Sequence, residues 1–509
     1  MLLINPPISK PSEPPAGIAR LSGALYANNI KHHVLDASIE GISYLLEHGP
    51  DPSDTWTRRA VKALSSNLAA LRSIDLYDNH DRYKRAVMDV NRVLEMSVTG
   101  SGTQLSLTDF QHKDLSPVKS SDLIYAAMYP EANPFYLYFS ERLAGFVKGE
   151  GVKTAGFSIN YLNQALTAFA MIGFLRREYP SINILAGGGL ITSWMQNPNW
   201  KNPFEAFIDR VVAGPGESAL LGILGKMASK VYYMPNYDQL PLKSYLSPGI
   251  VLPYSTSSGC YWSGCSFCPE KAEGNNYVQI PPGRVIDDLT CLTDRYHPAM
   301  VHFTDNALRP AIMKRIAETS GKIPWYGFVR ITNHLSKPDF CGGLADSGCV
   351  LLKLGLESGN RKVLDYMNKG CDLETAASVL ETVHRAGIAT YVYLLFGTPS
   401  ETIREAHDTL DFVVQHSQNI DFLNLAVFNL PVNSSETREV RTMDFYEGDL
   451  SLYRDFKHPE GWGRREVRQF IERDFKKRPV IQRILRRQPP FFTSNHAPFF
   501  ATNHPLRDK

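Results

Sequence analysis

The 509-residue sequence predicts two α/β domains in series: a doubly wound, Rossmann-like parallel sheet, then a partial, TIM-like (β/α)6 barrel. Two observations predict this. Short apolar strands alternate with helical patterns at the start of the chain, again from about residue 154, and then without interruption from 300 to 428. A glycine-flanked loop with three of the seven cysteines stands where the second of these regions begins. The boundaries read as 1–230 for the first domain, with a helical insertion at about 46–150. A linker follows at 231–250, the barrel at 251–430, and a small C-terminal helical domain at 431–509.

Composition narrows the function. Hydrophobic residues are 43% and charged residues 21%, ordinary for a globular chain. A net charge of +2 gives no electrostatic footprint for nucleic acid, which is not an expected partner. No apolar run approaches the ~18–20 residues that span a bilayer, so no membrane span is expected. The opening MLLINPPISKP lacks a basic segment followed by an apolar one, so it does not read as a secretory signal. Seven cysteines in so long a chain do not resemble a disulfide framework, and a cytoplasmic location is expected.

Taken in order, residues 2–5 form an apolar strand stopped by Pro6-Pro7, Gly17–Asn29 a helix with small residues on its packing face, and His33–Asp36 a second strand. About a hundred residues then interrupt this βαβ opening, too long for a connection and helical in pattern over 57–74, 81–96 and 132–147. This reads as an inserted subdomain, a structural cover or a lid. The segment 103–109 alternates like a strand. The sheet resumes at Thr154–Asn160, a helix to Arg177, Ile182–Ala186, and Arg210–Glu217 before a helix over 218–227. Glycines gather at these strand ends, where a ligand would approach the backbone. Residues 228–251 are rich in Pro and Tyr without periodicity, a linker.

In Ser258-Gly-Cys-Tyr-Trp-Ser-Gly-Cys-Ser-Phe-Cys-Pro269 the cysteines are spaced Cys-x4-Cys-x2-Cys. Three thiolates leave a coordination position open, whereas a structural zinc takes four protein ligands. A zinc ribbon would show a second cysteine pair ~15–20 residues on, and Cys291 stands alone; a zinc site completed by His297 or His302 remains an alternative. Cys291, Cys341, Cys349 and Cys371 lack close spacing and read as free thiols, with an auxiliary cluster as the other reading.

The loop resembles the cluster motif of the radical S-adenosylmethionine (SAM) superfamily, with Phe267 as the aromatic before the last cysteine and a first gap one residue longer than usual. The resemblance implies that Cys260, Cys265 and Cys268 hold a 4Fe–4S cluster, with SAM on the fourth iron. One electron then cleaves the sulfonium to a 5′-deoxyadenosyl radical. Strands at 300–305, 325–331, 350–356, 390–396 and 422–428, with helices at 311–318, 339–346, 373–386 and 403–416, fit that family's partial barrel. By the same resemblance SAM contacts fall at successive strand ends: Asp305, Arg330, Glu357 and Ser358, then Gly397 and Pro399 in the turn Gly397-Thr-Pro-Ser-Glu401.

The first domain is similar to the cobalamin-binding domain that precedes many radical SAM domains. Asp36-Ala-Ser-Ile-Glu-Gly41 keeps the frame of the Asp-x-His-x-x-Gly motif, with Ser38 in the place of the cobalt-ligating histidine. Ser158-Ile-Asn160 is followed after 26 residues by Gly187-Gly188, and Gly214 and Glu217 belong to the PGE segment of this architecture. The resemblance implies Asp36, Ser38, Gly41, Ser158, Gly187, Gly188, Gly214 and Glu217 as cobalamin contacts. Serine is no cobalt ligand, so base-off cobalamin without a protein histidine is expected, a cofactor-free domain being the alternative; His32 and His33 read as structural.

After Pro431 the units stop. Helices are expected at 466–475 and 480–487, and Pro489–Phe500 is expected over the barrel mouth. The leading expectation is a cobalamin-dependent C-methyltransferase acting on a small molecule or natural product, with an external one-electron reductant of flavodoxin or ferredoxin type. A radical cyclase or rearrangement enzyme is the alternative, and a metal-stapled binding protein without turnover the alternative from another class.

Overall fold

The computed structural model describes residues 1–49, 54–197, 199–228, 230, 232–319, 323–490 and 496–501. They divide into two compact units: residues 1–250 with 446–452, and residues 251–445 with 453–509.

The first unit opens β1 (Leu2–Asn5), α1 (Ala16–Ala27), β2 (His33–Asp36), α2 (Ala37–Glu47). Every residue of β1 is buried, as a central parallel strand covered on both faces requires. The insertion follows with α3 (Thr55–Leu71), α4 (His80–Ser97), the hairpin β3 (Thr103–Leu105) and β4 (Phe110–His112), α5 (Ser120–Met128) and α6 (Tyr136–Gly149). The sheet then completes as β5 (Thr154–Ser158), α7 (Leu162–Glu178), β6 (Asn183–Gly187), α8 (Gly189–Met195), β7 (Arg210–Val211) and α9 (Gly216–Ile223). Its order is β2-β1-β5-β6-β7, parallel throughout. The chain reverses direction between β1 and β5, so the crevice outside the carboxyl ends of these strands is where such a sheet takes a ligand.

The insertion is built into the unit. Helix α7 is buried along 164–175, and at Gly173 a Cβ would stand 1.8 Å from the Ala127 carbonyl oxygen of α5. Only glycine lets these helices touch at that point. Residues 446–452 also belong here: Leu450 N–H donates to the Val118 carbonyl (2.9 Å), and the Trp194 indole N–H donates to the Leu450 carbonyl (3.1 Å).

The second unit begins with β8 (Val251–Tyr254), β9 (Ser257–Ser258), α10 (Pro269–Ala272), β10 (Val278–Gln279) and α11 (Pro282–Tyr296). Then come β11 (Met300–Leu308), α12 (Pro310–Ala317), β12 (Trp325–Val329), α13 (Pro338–Asp346), β13 (Cys349–Glu357), α14 (Arg361–Tyr366), α15 (Leu373–Arg385), β14 (Ala389–Phe396), α16 (Ile403–Gln415) and β15 (Phe422–Val427). Six strands run parallel in the order β8-β11-β12-β13-β14-β15. Val251, Met300, Tyr326, Leu351, Ala389 and Phe422, one from each strand near its start, share one buried cluster, so the sheet curls around it. Above this layer lies Lys353, 1% exposed, its Nζ 3.2 Å from His302 Nε2 and over the rings of Tyr326 and Phe328.

The C-terminal region departs from expectation. The described residues after 431 are divided between the two units, 446–452 with the first and the rest with the second. β16 (Leu430–Pro431), β17 (Thr442–Asp444) and β18 (Tyr453–Phe456) make a small antiparallel sheet, and α17 (Arg464–Phe470), a π turn at Ile471–Phe475 and α18 (Pro479–Arg486) follow. Helices α17 and α18 bury only Val467, Phe470, Ile481 and Ile484. Val467 packs on Gly397, and Phe470 and Phe475 pack on Phe396, at the end of β14. The Pro- and Phe-rich tail is corrected too. Residues 491–495 lie outside the described residues, but α19 (Ala497–Ala501) joins the cluster at the strand starts. It plugs the bottom of the barrel, not its mouth.

Candidate functional site

The cysteine loop rises from the carboxyl end of β8 and is pinched at its base. β9 pairs antiparallel with β10, and Gly259 (φ +71°) passes so near that a Cβ would lie 2.5 Å from the Asn276 carbonyl oxygen. The longer first gap is taken up by a left-handed turn: Ser263 has φ +45°, and a Cβ on Gly264 would lie 2.6 Å from Trp262 Nε1. Burial pushes the Cys268 thiol above its ordinary value, N–H groups of Lys271 and Glu270 at the start of α10 oppose this, and the nearby Cys265 and Cys260 add to it. All three sulfurs therefore share one electrostatic neighbourhood.

The segment between α14 and α15 clamps this loop. Ser266 N–H donates to the Met367 carbonyl (2.9 Å), and Trp262 Nε1–H to the Asn368 carbonyl (3.1 Å). Asn368 Nδ2 returns a bond to the Gly264 carbonyl (3.0 Å). Gly370 lies flat on Trp262, where a Cβ would come within 2.3 Å of the indole. Lys369, 6% exposed, pairs with Glu357 (2.7 Å) and stands 5.6 Å from the Phe267 ring centre. Burial alone would lower the Lys369 amine, but Glu357 and Cys265 hold it above the usual lysine value. Arg330 closes the arrangement, donating to the Lys369 carbonyl (2.5 Å), reaching Cys265 Sγ at 3.9 Å and lying 4.1 Å over Trp262.

The residues expected to contact SAM are placed differently from one another. Asp305 is 3% exposed, and its oxygens accept from Thr256 N–H (2.9 Å), Thr256 Oγ1 (2.8 Å) and Ser257 Oγ (2.6 Å). Side chains alternate along a strand, and His302 and Thr304 mark the inner side of β11; Thr304 meets Ser255, just past the end of β8, at 2.6 Å. Exposed Asn306 continues that inner side and shares a hydrogen bond with Glu270. Arg330 is engaged with the loop, not free for a carboxylate. Ser358 is fully buried, bonded to Thr409 (3.2 Å) and to Asn360 N–H (3.1 Å). Glu357, in a left-handed conformation (φ +68°), ends β13 at the face.

The turn Gly397–Glu401 has spare bonding capacity. Gly397 (φ +83°) donates its N–H to Glu401, which also accepts from Trp462 Nε1 (3.0 Å). Thr398 Oγ1, Ser400 Oγ and Glu401 Oε1 are buried without a hydrogen-bond partner, and Pro399 is buried beside them.

In the first unit, the motif at Asp36 is spent on the fold. Asp36 caps α2 and accepts from Asn5 (2.8 Å) and Tyr245 (2.6 Å). Ser38, 2% exposed, exchanges hydrogen bonds with Ser9, and a Cβ on Gly41 would touch Phe135. Both ring nitrogens of His32 are held, by Ser22 and the Ile30 carbonyl. Glu217 pairs with Arg20 (2.6 Å). Ser158 accepts from Asn160 Nδ2 (3.1 Å), whose Oδ1 accepts from Gly189 N–H, and Gly187 and Gly188 let β5, β6 and α8 meet closely. The open part of this rim is backbone: Ala213, Gly214 and Pro215 are exposed, and nothing lies within 4 Å of a Cβ on Gly214.

Comparison with known proteins decides the nature of the second unit: residues 254–413 match the model of the radical SAM superfamily. The chain carries a radical SAM domain. It is 27% identical over 256 residues to a bacteriochlorophyllide d C-12(1)-methyltransferase of Chlorobaculum tepidum, covering 47% of this chain and 54% of that protein. It is 24% identical over 198 residues to a tryptophan 2-C-methyltransferase of Streptomyces laurentii, covering 35% and 32%. The chain thus spans about half the length, or less, of these relatives. Among solved structures, the cobalamin-dependent SAM radical enzyme OxsB with aqua-cobalamin bound superposes with a TM-score of 0.52 at 15% identity, over 65% of this chain and 60% of that one. The radical SAM methyltransferase TsrM of Kitasatospora setae, with tryptophan and a SAM analogue bound, gives 0.50 at 14% identity, over 84% and 73%. At such identity the likeness is one of fold.

The alternative zinc site finds no support in the radical SAM domain. Among the described residues no three His, Cys, Asp or Glu side chains stand close enough to share one metal ion. His302 lies inside the barrel, and His297 caps α11 in a left-handed conformation (φ +46°). A cluster that takes one thiolate per iron needs its sulfurs further apart than a single ion does. Sequence reasoning missed Trp262 and the clamp Met367–Gly370, which carry no spacing signal and act mostly through backbone and ring faces.

Proposed function

We propose that the protein is a cobalamin-dependent radical SAM enzyme that methylates a carbon of a small-molecule substrate. The observation that carries this reading is the three-cysteine loop at the carboxyl ends of a six-stranded parallel sheet, within the residues that match the superfamily. The donor set fits a 4Fe–4S cluster: three neighbouring thiols with no disulfide among the seven cysteines. Cys260, Cys265 and Cys268 would hold it. When bound, a cluster with one open iron supplies the electron that cleaves SAM, drawn from an external reductant of flavodoxin or ferredoxin type.

The residues of the chain do the rest. Thr304, Asn306 and Glu357 line the face where the methionyl end of SAM would lie. The unpartnered polar atoms of Thr398, Ser400 and Glu401 fit a nucleoside that brings donors and acceptors. Cobalamin suits the open backbone rim at Ala213–Pro215, which is exposed and has nothing within 4 Å of a Cβ on Gly214. Ser38 is buried and bonded to Ser9, so bound cobalamin would be base-off without a histidine from the chain. A reducing, cytoplasmic setting suits seven unpaired thiols.

One anaerobic preparation tests this. Reconstituted protein should hold four irons with matching sulfide, lost in the Cys260, Cys265, Cys268 triple alanine variant and kept when Cys291, Cys341, Cys349 and Cys371 are replaced. Paramagnetic resonance of the cob(II)alamin form should show no nitrogen splitting from the protein. With the true substrate, S-adenosylhomocysteine and 5′-deoxyadenosine should form in near-equal amounts, with the methyl label in product. Formation of 5′-deoxyadenosine alone would point to cyclisation or rearrangement; absence of iron would leave only a binding protein.

A further inference from the structure

Arg330 is a buried cation whose charge no carboxylate answers. It is 7% exposed, and among the described residues it forms no ion pair, while its neighbour Lys369 is matched by Glu357 at 2.7 Å. Burying an unpaired charge is costly, and none of the partners Arg330 has is a carboxylate: they are the Trp262 ring face, the Lys369 carbonyl and the Cys265 sulfur. Lys369 and Glu357 nearly cancel, so one net positive charge remains, fixed 3.9 Å from the thiol that would ligate iron. Its planar guanidinium lies on Trp262, which is itself held by Asn368 and by Gly370.

The geometry points to Arg330 as the built-in counter-cation of the cluster, a positioning residue that sets its reduction potential through Cys265. This rests on the reading that the three cysteines hold a 4Fe–4S cluster. A one-electron reduction adds one negative charge to that cluster. A fixed positive charge in a partly dry site favours the reduced state more than the oxidised one. The cation therefore raises the potential, bringing the cluster within reach of a one-electron donor of ferredoxin or flavodoxin type. Trp262 serves the cation as a backing plate, and this gives the longer Cys-x4-Cys gap, where Trp262 lies, a purpose.

The test is a redox titration of the full-length, anaerobically reconstituted protein, followed by paramagnetic resonance, with iron and sulfide assayed on the same samples. Arg330→Gln should keep its iron and shift the one-electron equilibrium at least tenfold toward the oxidised state, about 59 mV to the negative. Arg330→Lys should recover most of that shift. If Arg330→Gln does not load, Trp262→Leu takes its place, with the cation present but unpinned and a smaller shift of the same sign expected. A loaded Arg330→Gln or Trp262→Leu protein with the wild-type midpoint overturns the inference. So does failure of Arg330→Gln, Arg330→Lys and Trp262→Leu alike to load, since that would make the residues purely structural. Wild-type protein without iron and sulfide defeats the cluster reading instead, a separate outcome.

Discussion

Burial works against ionisation of Glu401. Burial raises its carboxyl from 4.5 to about 7, and hydrogen bonds from Gly397 N–H and Trp462 Nε1 offset only part of the rise. The unfolded chain would release that proton near the ordinary glutamate value, so the stabilising contribution is complete below about pH 4.5. It is lost as pH climbs through about 7. Glu401→Gln keeps an acceptor for both donors and has no proton to lose. Its stability relative to the wild type should therefore rise by up to ~3 kcal/mol between pH 5 and pH 8. Parallel falls in the two proteins would show that Glu401 is ionised in the fold. Residues are also where the sequence is least readable. Asp305 stands in the segment that the family resemblance singles out, but only the pleat of β11 shows that its carboxylate turns to Thr256 and Ser257 while Thr304 and Asn306 turn inward. Lys369 gave no signal at all: a lysine after a short helix is ordinary until the fold places it beside Cys265.

Helices and strands were far more legible, and for a physical reason. β13, β14, β15 and α15 fall within about one residue of expectation, because β13 and β14 are apolar runs buried almost throughout, β15 starts as one, and α15 buries one regular face. Helices α8 and α14, of seven and six residues, are too short for a period to declare itself. The element that matters for the site is the clamp between α14 and α15, and glycine is its condition. Gly370 combines φ +68° with contact on Trp262. Gly370→Ala should cost roughly 1–3 kcal/mol in urea denaturation and lower iron incorporation several-fold. Trp262→Ala in the same chain should remove the clash and leave only the backbone strain of about 1 kcal/mol. No coupling between the two substitutions in a double-mutant cycle would refute the contact.

The molecule as a whole closes its barrel from below with its own tail. Among the described residues of α19, Ala497 joins the cluster at the strand starts, and His496 before it packs against Tyr391 and Phe422, 4.2 and 4.7 Å between ring centres. Ending the chain at residue 495 should uncover this layer. The expected result is a lower melting temperature, a loss of about 2–5 kcal/mol as for large-to-small core changes, and binding of a dye that reports exposed apolar surface. Unchanged melting would show that the plug is dispensable. The compact units are also not beads on a string. The chain leaves the first at residue 250, yet residues 446–452 are folded into it, with Gly448 set so close to Val118 that a Cβ would lie 2.2 Å from its carbonyl oxygen. For inheritance this matters: a recombination event that splices at residue 250 alone would hand on a first half missing a strap from the far end of the gene. Shuffling this architecture at a single junction is disfavoured, and both halves should tend to descend together.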